Sequence, residues 1–409
     1  MIIRAQTVMT MDGPPIENGA VVVSRDRIAE IGTFSEVSKH HSREKTVDLG
    51  EQALLPGLIN AHCHLDYTCL RGKIPRQESF TDWIRAINGE KARLGPEDYI
   101  ASLNDGFLEA KRFGTTTIAN LTGLPELISR IKTPIRTWWF PELIDIRQQI
   151  SPQNLNALCI EVGKVAAHWG LAPHAPFTAS ADLYERCEEI ARRENILLTT
   201  HLAESREEME MFEKAEGPLY EFLKKIGRNM SDCGEMTPVG HFLSKSDCSQ
   251  SPAGGSVNRS YLFAHLNELS GSDFDWLKKS VPATSIVHCP RSHEYFGHSP
   301  FQFQRLRDLG LNICLGTDSL ASNEDLSLFA EMRAFQKKFS DVAAKEILEM
   351  TTTNAARALG QESALGKIRP GFMADLIAVP IEKSTSIFER IIGFDGAVNW
   401  LMVNGQILA

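Results

Sequence analysis

The chain has no CxxC pair, no regular cysteine spacing and no apolar run long enough to span a bilayer. Its eight cysteines are scattered, which argues against a disulfide framework and for reduced thiols. No secretory leader is recognisable, so the expectation is a cytoplasmic protein. Positive charge is short as well. Lys and Arg number 43 against 52 Asp and Glu, a net charge of -9. That removes the basic footprint a nucleic-acid or anionic-membrane partner requires. No GxGxxG follows any predicted strand, so the glycine-rich phosphate turn of open doubly wound sheets is also missing.

What remains is ordinary globular material: 409 residues, 43% hydrophobic and 23% charged. That length permits two or three domains, or one large barrel with an appendage. Residues 1–54 show period-two patterning, with a hairpin at 19–31 turning through Ser24-Arg25-Asp26. Residues 374–379 and 400–403 read as strands, and Asn404-Gly405 is a turn dipeptide before 406–408. Neither end is large enough to build a core alone. The economical reading is one small β-sandwich assembled from 1–54 and 367–409, with 55–366 as a separate catalytic unit.

Within 55–366, strands alternate with helices, the pattern of parallel βα units. After a first strand ending near residue 64, strands are expected at 115–120, 135–140, 170–174, 196–201, 261–265, 284–288 and 311–316. Helices are expected at 96–113, 154–169, 180–194 and 341–359, and a charged one at 207–226. Eight strands give a (β/α)8 TIM barrel; an open sheet is the alternative, and it lacks its phosphate turn. Residues 244–255, rich in Ser and Gly, read as a solvated surface loop rather than a lid.

The stretch from Leu55 to Asp66 starts as an apolar run and ends in His62-Cys63-His64. Residues i and i+2 of a strand share a face, so two imidazoles aim at one point, which is half of a divalent metal site. His62, His64, His174, His201, His265, His288 and Asp318 all fall at or just past predicted strand ends. In a barrel those ends share one mouth. His62, His64, His201 and Asp318 would make a nitrogen-rich site with room for water, the composition of catalytic zinc, with iron or manganese as alternatives. Such an ion brings the pKa of its water to about 7. Asp318 can then take the water proton, Glu204 can carry a proton to the substrate, and His265 can hydrogen-bond the reacting centre.

These segments together resemble the amidohydrolase superfamily, in its branch of chlorohydrolases and aminoheterocycle deaminases. The likeness rests on Pro56-Gly57-Leu58-Ile59-Asn60-Ala61-His62-Cys63-His64 with Leu70-Arg71-Gly72, on Ala172-Pro173-His174-Ala175-Pro176, and on His201-Leu202-Ala203-Glu204. His288-Cys289-Pro290-Arg291-Ser292, Leu315-Gly316-Thr317-Asp318-Ser319 and the segment around Gly366 to Leu376 extend it nearly end to end. The resemblance implies one divalent ion on His62, His64, His201 and Asp318, with no carboxylated lysine. It implies Glu204 and His265 as proton-transfer and polarising groups, His174 as a substrate contact, and a homodimer. His293 stands where related enzymes often carry Asn. With Phe296-Gly297-His298 it resembles enzymes acting on modified adenosines, aminodeoxyfutalosine deaminases among them.

The leading expectation is therefore hydrolytic deamination of a 6-aminopurine nucleoside derivative, such as aminodeoxyfutalosine or a thioether adenosine. Hydrolytic dechlorination or amide opening of a triazine-like or guanine-like ring is the alternative, and a non-catalytic small-molecule-binding barrel is a third reading. The H-x-E and P-C-x-x-C signature of nucleic-acid deaminases is absent. Arg71, Trp83, Arg136, Arg147 and Arg291 are candidates for contacting a ring or a carboxylate on the substrate.

Overall fold

The run Leu58–His64 is apolar up to its histidines, and in the structure it is buried along its whole length. A strand buried on both faces belongs in a parallel sheet. The structure, a computed structural model, describes residues 1–245, 261–280, 284–381 and 386–408. Seven more strands follow the first in parallel: Thr115–Thr122, Arg136–Leu143, His168–Pro173, Leu197–Leu202, Tyr261–His265, Thr284–His288 and Asn312–Leu315. Each pairs with its sequence neighbour. Closure lies in the eighth. It pairs with the seventh strand up to Leu315, steps away at Gly316-Thr317, and resumes as Asp318–Ser319 against Cys63 and His64 of the first strand. The sheet is thus an eight-stranded barrel.

Two packing layers follow from strand alternation. Ile59, Ala61, Ala119, Leu121, Phe140, Ala172, Leu262, Val287 and Cys314 form one cluster inside the barrel, capped by Ala355, Leu359 and Leu365. Leu58, Cys63, Ile118, Leu171, Leu198, Phe263 and Ile313 belong to the outer cluster under the helices. In the first strand the inward set changes parity after Ala61. The register slips between Asn60 and Cys63, a bulge of the kind that re-aims a side chain. That slip turns both His62 and His64 into the barrel.

Three expected helices differ in extent. The helix expected at 154–169 is Pro152–Val165, because Trp169 already belongs to the fourth strand. The segment 341–359 is two helices, Ala344–Met350 and Thr353–Ala358. The hydroxyls of Thr351 and Thr352 both donate to the Leu348 carbonyl, and the Thr351 carbonyl accepts from Ile59 N–H. Threonine side chains here compete with the helix ladder. The segment 207–226 breaks into Arg206–Lys214 and Pro218–Lys225, with Ala215 (φ 54°) and Gly217 (φ 97°) in left-handed backbone before Pro218. The loop expected from Ser244 lies, past Lys245, outside the described residues.

Both ends of the chain meet in one further sheet. Its order is Gln406–Ile407, Trp400–Val403, Leu376–Pro380, Gln52–Pro56, Ile2–Val8, Ile16–Ser24 and Arg27–Thr33, with Thr46–Asp48 beside Ile2–Val8. Val21, Val23 and Ile28 from one end share a core with Leu376, Trp400 and Met402 from the other. The sheet thus carries a core drawn from both ends of the chain. It docks at the end of the barrel opposite the histidines. There Gly57 N–H donates to the Asp375 carbonyl (2.9 Å). The buried Asp375 carboxylate pairs with Arg136 (3.1 Å), which also bonds Asn404. Among the described residues no helix is long and apolar enough to cross a membrane, and the seven cysteines are unpaired.

Candidate active site

Each polar strand-end residue is held by the backbone geometry around it. The His201 backbone N–H and its ring Nδ1 both approach the His174 carbonyl, at 2.8 and 2.9 Å. A carbonyl only accepts, so Nδ1 carries the proton and Nε2 presents a lone pair. His265 and Asp318 end their strands in left-handed backbone, φ 79° and 56°. Such turns in non-glycine residues concentrate where a side chain must be aimed. Asp318 Oδ2 accepts from the hydroxyls of Ser292 (2.6 Å) and Ser322 (3.2 Å), leaving Oδ1 for the barrel interior.

The ligand atoms converge. His64 Nε2 and His201 Nε2 stand 3.2 Å apart, and Asp318 Oδ1 is 3.7 Å from His64 Nε2 and 3.8 Å from His62 Nε2. A tetrahedral ion with bonds of about 2.1 Å spaces its ligands roughly 3.4 Å apart. Both ring nitrogens of the fully buried His62 lack any protein partner. A buried polar atom left unpaired is costly, and an ion here relieves that cost. Protonation states agree. Burial and the neighbouring His201 hold His62 down at about 3, and burial likewise lowers His64 and His201. Burial pushes Asp318 up, but His265, His62 and Ser292 outweigh it and keep the carboxyl low. Neutral imidazoles beside an ionised carboxylate are the form that binds a cation. The residues present fit a single divalent ion.

Around this centre lies a cavity of about 280 Å³, lined by His64, His174, His201, Glu204, His265 and Asp318 on its polar side. The opposite wall is apolar and includes Phe80, Trp83, Ile87, Phe177 and Phe222. Trp83 comes from the helix Phe80–Lys91, whose first two N–H groups donate to the Glu207 carboxylate. Glu204 is buried, with Oε1 3.7 Å from His265 Nε2. Burial, then Asp318 and Glu208, push its carboxyl well above the usual range. The Glu204 N–H donates to Glu208 (2.7 Å) and its carbonyl accepts from Asn267 (3.1 Å), which fixes the backbone behind it.

Other sequence candidates lie elsewhere. Arg71 pairs with Glu109. Arg291 pairs with Asp325 (2.6 Å) and Glu324 (3.0 Å). Both border a separate surface groove. His293 bonds the Ser299 carbonyl through Nε2 (2.9 Å) and packs edge-on against His288. His288 stacks on Phe301 at 3.9 Å and does not line the cavity. Arg136 sits at the sheet-facing end of its strand and Arg147 is exposed. The reason is common to the four arginines: each lies next to a carboxylate or to water closer than the cavity. Conversely, Glu142, Tyr67 and Lys91 line the cavity without having been singled out. Glu142 is the one charged side chain inside Trp138-Trp139-Phe140-Pro141-Glu142-Leu143, past a proline that reads as the end of the strand.

A closed parallel barrel whose mouth gathers three histidines, an aspartate and a buried glutamate is the arrangement of the metal-centred barrel hydrolases. Residues 53–408 match the amidohydrolase family, and the chain belongs to it. A 5-methylthioadenosine/S-adenosylhomocysteine deaminase of Pyrococcus furiosus is 29% identical, over 96% of this chain and 94% of its own. One from Halothermothrix orenii is 26% identical over 96% and 89%. Among solved structures, aminofutalosine deaminase of Helicobacter pylori in complex with methylthio-coformycin superposes with a TM-score of 0.86 at 22% identity, covering both chains fully. A zinc-bound adenosine deaminase from Xanthomonas campestris gives 0.82 at 22% identity, over 99% of this chain and 92% of its own.

Proposed function

We propose that this chain is a hydrolytic deaminase of a 6-aminopurine nucleoside derivative, with zinc on His62, His64, His201 and Asp318. The observation that carries the reading is the placing of Glu204: a buried carboxyl in one cavity with Asp318, beside His265 and the ligand histidines, its acidity shifted up while that of Asp318 is shifted down. Two acids whose environments push them apart divide the roles of base and acid. The names of the two relatives above, both deaminases of adenosine derivatives, and the zinc in the neighbouring adenosine deaminase support it.

When bound, the ion's chemistry is to bring water to a pKa of about 7. Asp318, its outer oxygen held by two serines, accepts the water proton at Oδ1. Glu204 donates its proton to the ring nitrogen next to the carbon that bears the amino group. His265 hydrogen-bonds the oxygen that adds to that carbon. The carbon–oxygen bond forms, the carbon–nitrogen bond breaks, the amino group leaves as ammonia with the proton Asp318 received, and the remaining proton of the added oxygen passes to Glu204 as the carbonyl forms, which restores its acid form. His174 and the apolar wall of Trp83 and Phe177 hold the rest of the substrate. The cytoplasmic setting and the homodimer belong to this same proposal.

A zinc-loaded preparation should release ammonia from one or more of methylthioadenosine, S-adenosylhomocysteine, aminodeoxyfutalosine and adenosine. Chloride release from a chlorotriazine with no ammonia from any nucleoside would overturn the reading in favour of the dechlorinase alternative.

A further inference from the structure

The helix Pro218–Lys225 supplies Phe222, Leu223 and, just past its end, Ile226 to the apolar wall of the substrate cavity. The chain leaves the helix through Gly227 in left-handed backbone (φ 95°). The Gly227 N–H donates to the Lys224 carbonyl (3.1 Å) and the Arg228 N–H to the Leu223 carbonyl (3.0 Å). These are the paired closing bonds of a glycine-terminated helix, and they fix where Arg228 starts. Another wall residue, Phe177, comes from the turn after the fourth strand. In that turn the Ala175 carbonyl accepts from the N–H groups of Thr178 and Ala179, both at 2.9 Å. The carbonyls of the buried Pro176 and Phe177 take no part in it and need donors from elsewhere.

Arg228 supplies both. Its Nε donates to the Phe177 carbonyl (2.9 Å) and its Nη2 to the Pro176 carbonyl (3.1 Å). Asp232 holds the far side of the fork, Oδ1 accepting from Nη1 (2.7 Å) and Oδ2 from Nη2 (2.9 Å). The arginine side chain is 8% exposed, and its guanidinium lies 5.6 Å from the centre of the Phe212 ring. A planar guanidinium gripped at two points by a carboxylate is not free to turn, so its other N–H groups keep fixed directions. We propose that Arg228 is a positioning residue for substrate binding: it joins the turn after the fourth strand to the end of the helix, and so sets how far Phe177 stands from Phe222, Leu223 and Ile226. The inference rests on the deaminase reading for the substrate that fills this space. Arg228 does not itself line the cavity, and Glu204, His265 and Asp318 stand at the ends of other strands. A second route leads from the same turn. Phe177 packs edge-on against His174 (5.9 Å), whose carbonyl holds the His201 ring, and along that route Arg228 would support a metal ligand instead.

The test is steady-state kinetics of ammonia release from the best nucleoside substrate by wild type, Arg228→Met, Arg228→Lys and Asp232→Asn, with zinc content and the urea midpoint measured on each. Lysine keeps the charge without the fork, and asparagine offers the guanidinium one acceptor in place of two. A wall that makes the same contacts in the ground and transition states acts on KM and not on kcat. KM should rise roughly 10- to 100-fold in Arg228→Met, the scale of one misfitted methylene in an apolar pocket. It should rise by less in Arg228→Lys and Asp232→Asn, with kcat and zinc content close to wild type. The two milder variants decide the matter if Arg228→Met does not fold. A merely structural role shows in them as a lower urea midpoint and a lower kcat with KM unmoved, and overturns the inference. Loss of zinc from both also overturns it, in favour of the route through His174. Ammonia from no nucleoside in wild type overturns the deaminase reading itself, and this inference with it.

Discussion

At the scale of single residues, the proposed division of labour separates holding the ion from moving protons. Glu204→Gln keeps the shape of the side chain and removes its transferable proton. It should retain metal and lose roughly 10²- to 10⁴-fold in kcat. His201→Ala should lose metal and activity together, because its Nε2 is one of four converging atoms. Metal analysis beside steady-state kinetics checks both, and an emptied site in Glu204→Gln would refute its role. The histidines of this centre were legible because strand spacing alone places His62 and His64 on one face, and because strand ends of a barrel coincide. Glu142 was not. The aromatic run before it ends at Pro141, which reads as a stop, and its neighbours His64 and His174 come from other strands. Arg71 and Arg291 failed in the opposite sense: a motif sets their position in the chain, while Glu109 and Asp325 decide where their charges go.

At the scale of elements, the eighth strand does two jobs with one interruption. A Cβ on Gly316 would lie 2.7 Å from the His62 carbonyl oxygen and 3.0 Å from its Cβ. Only glycine allows the step from the seventh strand to the first, and that step brings Asp318 to His62. Gly316→Ala should push the Asp318 end away from the first strand and weaken metal binding by roughly 10- to 100-fold, as disturbed supports of ligands do. Competition with a chelator of known affinity measures it; unchanged affinity would mean the strands yield elsewhere. The alternation of strands and helices was readable from periodicity. The breaks at Thr351-Thr352 and Gly217-Pro218 were harder, since only the former's hydroxyl and carbonyl bonds, not its propensity, end the helix. The bulge after Asn60 left no mark in composition at all, yet it is what turns the histidine pair inward.

At the scale of the whole molecule, buried carboxyls give stability a direction in pH. Burial raises Glu331 to about 8, against the pull of Arg291, and Glu208 to about 7, against the N–H groups of Glu204 and Ala203. Both start from 4.5 in the unfolded chain. Between those values the folded state holds protons the unfolded chain has released, so their contribution is complete below about 4.5 and is lost as pH rises through 7 to 8. With chelator present, to take metal binding out of the comparison, the urea midpoint should fall from pH 6 to pH 9. Glu331→Gln should make that fall shallower. A midpoint that climbs over this range would contradict the assignment. That strands form at both ends of the chain was legible from period-two patterning at the start and from Asn404-Gly405 near the end; the ion pair of Arg136 with Asp375 that ties their shared sheet to the barrel was not, because its partners lie far apart in sequence.

The shared sheet also imposes an order on biosynthesis. Gln52–Pro56 leaves the ribosome just ahead of the first barrel strand, whereas its neighbour Leu376–Pro380 is made only after the whole barrel has been translated. On that side its backbone donors and acceptors stand open for the entire interval, an edge able to recruit a stray strand from another nascent chain. A strand translated after the whole barrel, Leu376–Pro380, is thus the one that seals an edge laid down before it.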